Sequence, residues 1–242
     1  MITYLRNGAL AGLAGGSAMA VALHLLGEPS IRHALDIEAA SSTGKEGAEM
    51  YSRGTQLAGG SLALLLYGAA VGAIFGVVFA AVRHRSRLRT DFERALGLGA
   101  VAFGVLVLMP ALKYPANPPA VGDPATVGQR TVAYLTLVAI SCVVAIGAWR
   151  GSRYLRVRGS SDHVRISAVA AGYVAAIALA YVLWPGNPDA VDVPATLIWR
   201  FRLAAIGGAA ALWSVLALTF GWLSVWSSRT AGANAGEFHA AR

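Results

Sequence analysis

The sequence predicts an all-α integral membrane protein of six transmembrane helices, paired as three hairpins, with both termini in the cytoplasm. Three observations predict it. Only 13% of residues are charged while 56% are hydrophobic, and mean hydropathy is +0.57. A soluble domain carries about a quarter charged residues, so lipid must be the solvent for much of this chain. Uncharged stretches, one of them interrupted by His24 alone, recur at residues 7–27, 55–82, 95–112, 131–149, 166–184 and 203–228. Each reaches or approaches the ~17–25 residues that a spanning helix needs. Lacking water, their backbones can be satisfied only as helices.

The third observation is where Lys and Arg fall. With the N-terminus inside, the inner segments hold 13 basic residues and four acids, and the outer segments seven basic residues and eight acids. The net charge of +8 is therefore an orientation signal, and it excludes nucleic-acid binding as the reason for the basic surplus. Arg6 ahead of the first apolar stretch is read as part of a retained signal-anchor, since cleavage near Ala18-Met19-Ala20 would leave five spans. Cys142 is the one cysteine, which excludes a disulfide framework within the chain.

The first and second spans carry glycine ladders, Gly8, Gly12, Gly16 and Gly68, Gly72, Gly76. Spacing of four places a smooth strip on one helix face, suited to close packing of another backbone. The third to sixth spans contain a repeat. Residues 115–130 and 185–200 are identical at nine of 16 positions at an offset of 70. The preceding inner connections match as Thr90-Asp91-x-x-Arg94 and Ser161-Asp162-x-x-Arg165. Residues 90–150 and 161–222 are thus two copies of one hairpin. Both enter from the same side, so a parallel repeat about an axis near the membrane normal is expected. The first hairpin is a more distant third copy, its leading helix expected to end at Pro29 as the others end at Pro115 and Pro185. Pro124 and Pro194 suit the first helical position, with Asp123 as an N-cap. The corners define an expected outer vestibule of Asn117, Asp123, Arg130, Asn187, Asp192 and Arg200. Residues 1–228 form the membrane domain, and 229–242 a short, disordered cytoplasmic tail.

The candidate chemistry lies at the outer end of the first span, where His24, Glu28, His33, Asp36 and Glu38 fall within fifteen residues. Imidazoles and carboxylates together suit a divalent transition metal, and an ionisable group near a span marks a functional site. On a helix over 31–40, Glu38 would lie in the apolar stripe, so either it turns into the bundle or the helix stops before it. Arg53, Arg130, Arg200 and Arg202 rim the same side, placed to snorkel or to pair with Glu28 and Glu38. Ser42-Thr-Gly-Lys45 lacks the leading glycine and the following hydroxyl of a phosphate loop. No trio of nucleophile, base and orienter stands out, so an enzyme is not expected, and no tightly bound cofactor is implied.

Gly27-Glu28-Pro29-Ser30-Ile31 leading to Ala34-Leu35-Asp36-Ile37-Glu38, and Lys113-Tyr-Pro-Ala-Asn-Pro-Pro-Ala-Val-Gly-Asp-Pro124 followed by Gly128-Gln-Arg130-Thr131, closely resemble the CbtA family of bacterial membrane proteins. The resemblance implies a cobalt transporter subunit of the plasma (inner) membrane, with Co²⁺ as substrate for cobalamin synthesis. It also implies a small, single-helix, histidine-bearing partner (CbtB-like). Beyond the lipid bilayer and that partner, self-association into a homo-oligomer is open. The alternative reading is a non-transporting accessory or scaffold subunit, because helices two to six hold almost no ionisable group at mid-depth.

Overall fold

A computed structural model describes residues 1–41, 51–119, 121–186 and 193–240, with side chains in the last helix described as far as Ser227. Six helices are long and apolar enough to cross a membrane: α1 Ile2–Ala40, α2 Arg53–Arg85, α3 Asp91–Lys113, α4 Pro124–Val157, α5 Asp162–Leu183 and α6 Ala195–Ala240. There is no strand among the described residues. The last helix runs on through most of the segment expected as a tail.

Large apolar side chains such as Leu62, Leu66, Ile74, Val174 and Leu179 point outward and stay exposed. In water such a surface would aggregate; in lipid it is the solvated face. Helices α1, α2, α3 and α6 form a packed group. Its core is an aromatic cluster in which Phe220 meets Phe79 and Phe75 edge-on, with ring centres 4.9 and 5.1 Å apart. Leu216 and Ala11 complete it. This edge-to-face geometry is the one the ring quadrupoles favour.

The closest approach in the bundle is between α1 and α2. They run antiparallel with Gly8, Gly12 and Gly16 set against Gly72, Gly68 and Leu64. A methyl group on Gly68 would sit 2.8 Å from the Gly16 Cα, and one on Gly12 2.9 Å from the Gly72 Cα. Carbonyl oxygens lie nearer still. Glycine is needed here for space, since the backbones themselves are in contact.

The first helix departs from expectation. It does not end at Pro29 but continues through it. Proline lacks an N–H and its ring clashes with the carbonyl four residues back. The chain relieves both by a π-helical turn over Leu23–Gly27, where the Glu28 N–H bonds to the Leu23 carbonyl, five back. An identical device precedes Pro110. The turn over Gly104–Leu108 places the Met109 N–H on the Gly104 carbonyl. In each case the widened turn lets the helix pass a proline at the cost of a local bend. Pro115 and Pro185, by contrast, do follow helix ends, at Lys113 and Leu183.

The matching α2–α3 and α4–α5 connections fold alike. Asp91 accepts from Arg94, and Asp162 from Arg165, each at 2.7 Å. Thr90 adds a capping box with Glu93, which satisfies two orphan donors reciprocally. The second of the two hairpins is nevertheless open. Helix α5 packs along α4, while α6 is taken up by α1 and α3, where Gly99 faces Ala217 and Gly221 faces Phe92.

Valine at Gly72 should separate α1 from α2 and destabilise the protein by about 1–3 kcal/mol, the usual range for overpacking. Valine at Gly59, which has nothing within 4 Å, should leave the thermal midpoint in detergent nearly unchanged; equal losses would show that the seam is not close-packed. For topology, in a C142S background, S86C and S152C should label from the cytoplasm and A120C from outside.

Candidate functional site at the outer end

The C-terminal end of α1, expected to face outward, is held by charge. The Glu28 carboxylate accepts from Arg53 Nη2 at 2.6 Å, from Arg53 Nε at 3.1 Å and from Arg32 Nε at 2.9 Å. Its side chain is only 10% exposed. A buried carboxylate is tolerable when its lone pairs are filled in this way. The pairing is local along α1 (i, i+4) for Arg32 and crosses to α2 for Arg53. Of the arginine partners anticipated at this rim, Arg53 is the one that reaches Glu28. One turn inward, His24 Nε2 lies 3.0 Å from Ser61 Oγ on α2.

The five anticipated metal ligands are not brought together. Among the described residues no group of three or more His, Cys, Asp or Glu side chains lies close enough to hold an ion. The cause is the unbroken helix. From His24 to Glu38 the axis rises about 21 Å, and steps of about 100° turn His33 to the face opposite His24. His24, His33, Asp36 and Glu38 are exposed, and Glu28 is consumed by two guanidinium groups. Glu38 neither turns into the bundle nor follows the end of the helix; the helix extends to Ser41 with Glu38 outward.

A second feature is a clasp joining α3, α4 and α5. Lys113 Nζ donates to the Tyr181 carbonyl at 2.8 Å, Tyr181 OH to the Met109 carbonyl and Tyr114 OH to the Pro185 carbonyl. Trp184 Nε1 donates to the Ala133 carbonyl at 3.2 Å. Tyr114 and Trp184 hold equivalent positions of the repeat, each next to the proline that follows its helix. Burial pushes the Tyr114 phenol above its ordinary pKa, so it remains a donor. Tyr114 falls inside the Lys113–Pro124 motif, whereas Tyr181 and Trp184 belong to no motif; the signal Tyr114 and Trp184 share is their place beside the repeated prolines.

The first corner encloses a cavity of about 540 Å³ whose lining includes Tyr114, Asn117, Arg130, Thr131 and Tyr134. Asn117 Oδ1 accepts from Arg202 Nη2 at 3.0 Å, tying the corner to α6. Asp123 is spent as a cap, accepting from the Ala125 N–H at 2.8 Å, and Gly122 before it takes φ +106, which a side chain would resist. Arg130 donates to the Asp123 carbonyl at 3.3 Å. Arg200 is exposed and is not part of the cavity. Asn187 and Asp192 lie outside the described residues, as does the Ser42–Lys45 stretch. Among the described residues the cavity wall offers an amide, hydroxyls and a cation but no carboxylate or imidazole, a donor set that does not fit a divalent metal.

Comparison with known proteins gives one finding. A family profile described as "Probable cobalt transporter subunit (CbtA)" matches residues 1–225. No curated protein and no solved structure matches the chain.

Exchanging the ion-pair partners tests the outer clamp. E28R and R53E should each destabilise the protein, on the order of 1 kcal/mol or more for a bond to a charged group, and the double variant should recover most of the loss in thermal midpoint. Additive losses would show that the two side chains do not interact.

Proposed function

The chain belongs to the CbtA family, and from that premise we propose that it is the membrane subunit of a cobalt-type divalent-metal importer, working with a small histidine-bearing partner and serving cobalamin synthesis. The family match carries the reading, because it extends over nearly all of the six-helix region. As a transporter subunit the protein binds and passes an ion and does no bond chemistry. Its place is a bacterial plasma membrane.

The distribution of donors supports a division of labour with the partner. Co²⁺ is held by imidazole and carboxylate groups in sets of several. On this chain the outer end of α1 spreads His24, His33, Asp36 and Glu38 around and along the helix, each exposed and none joined to two others. A histidine-bearing helix lying along α1 could complete a ligand set around one of them, with His24 the nearest to the membrane. The parallel repeat belongs to the same proposal: two corners related by an axis along the membrane normal would flank one entry.

One observation favours the alternative, a non-transporting scaffold. Between residues 54 and 82, 95 and 112, and 203 and 227 no acid, base or histidine occurs. A cation crossing here would find few ligands at mid-depth.

Uptake of ⁵⁷Co²⁺ into cells lacking other high-affinity cobalt import separates the readings. The chain and partner together should raise the initial rate well above either alone, and H24A should lower it. A partner that imports equally well without the chain would leave only the scaffold role. Absence of uptake with both present would refute the importer reading.

A further inference from the structure

The arginine-rich end of the molecule carries a second site unrelated to the outer cluster. Helices α3 and α4 pack together along Gly104–Lys113 but not over their opposite halves, where α3 turns to α6 and α4 to α5. Between the end of α2 and the facing stretch of α4 lies a recess of about 460 Å³ lined by Arg85, Trp149, Arg150 and Arg153. The Arg153 guanidinium stands 5.2 Å from the centre of the Trp149 ring, a cation–π distance. Arg85 gives one donor to the Ala81 carbonyl at 3.0 Å.

What sets these three arginines apart is that they share one recess, and the acids at this end are already taken. Asp91 holds Arg83 at 3.3 Å and Arg94 at 2.7 Å, and Asp162 holds Arg165. Glu93 accepts from the backbone N–H groups of Arg89 and Thr90. Among the described residues no carboxylate pairs with Arg85, Arg150 or Arg153. Three exposed guanidinium groups around one recess attract an anion, and a planar fork matches phosphate oxygens in particular.

A second observation says which phosphate. Ile146 and Val143 continue the face of Trp149 and Arg150 along α4 at helical spacing, 48% and 68% exposed, with no helix covering them among the described residues. An apolar stripe that leads from a cationic recess into the bilayer has the form of a lipid, headgroup at one end and chain at the other. We propose that the recess binds the phosphate of an anionic phospholipid from the leaflet on that side, with an acyl chain along Ile146 and Val143. Bound there, the lipid would fill the gap between α4 and the α1–α2–α3–α6 group. Basic pockets between helices at this level of a membrane are suited to such headgroups.

Native mass spectrometry of delipidated protein, titrated with phosphatidylglycerol or phosphatidylcholine, tests the site. Phosphatidylglycerol should bind preferentially. R150Q or R153Q alone should weaken it roughly five-fold, and R85Q/R150Q/R153Q by more. The control R87Q/R89Q/R158Q, which removes the same charge outside the recess, should bind within about two-fold of the parent protein. Equal losses in the two triple variants would mean diffuse attraction and overturn the proposal, as would undiminished binding in the single variants. Displacement of the lipid by inorganic phosphate at comparable concentration would identify a soluble-anion site instead and equally overturn it.

Discussion

The seam between α1 and α2 is the contact on which the outer end depends. In lipid there is no hydrophobic gain from pairing two helices, so close backbone approach must supply the attraction. Six glycines on two facing strips permit it, and because backbone touches backbone the register is stiffly fixed. Gly16 lies against Leu64, and farther toward the same end Ser61 meets His24 and then Arg53 meets Glu28. A shift by one turn would move each polar group past its partner. The carboxylate in the outer half of α1 is thereby committed to structure. That commitment is why a cluster of ligand-type residues in sequence is no cluster in space.

Proline gives the second constraint. Inside a bilayer every freed carbonyl must find a donor. The chain solves this in two ways with the same residue. At Pro29 and Pro110 a π-helical turn carries the helix past; at Pro115 and Pro185 the helix stops and the freed corner is stitched by Tyr114, Trp184 and Lys113. The stitching also explains how α5, which has little packing elsewhere, keeps its place. It is fastened at one end to α3 and along its length to α4.

Much of this was legible in the sequence, and for definite reasons. Spans, glycine ladders and the Asp-x-x-Arg caps are local patterns, decided within a few residues by solvent and helix geometry. The family followed from two long motifs. Pro29 was misread because proline's effect depends on whether the preceding turn can widen, as it does over Leu23–Gly27. The anticipated metal ligands do not gather for a related reason: once the helix continues, residues close in sequence are spread around and along an axis. The clasp was invisible because it joins side chains to carbonyls some 50 to 70 residues away, a pairing that no spacing announces. The arginines of the α2–α3 and α4–α5 connections are read from sequence as an orientation signal; only the structure shows which of them lack acids.

The central claim is that the glycine seam sets the geometry of the outer end. Cross-linking measures it directly, using a short bifunctional thiol reagent on protein lacking Cys142. The H24C/S61C pair should link efficiently, H24C/L62C should not, and adding G72V should abolish the first link while the protein remains folded. Linking of H24C to both positions alike, or survival of the H24C/S61C link in the G72V background, would contradict the account.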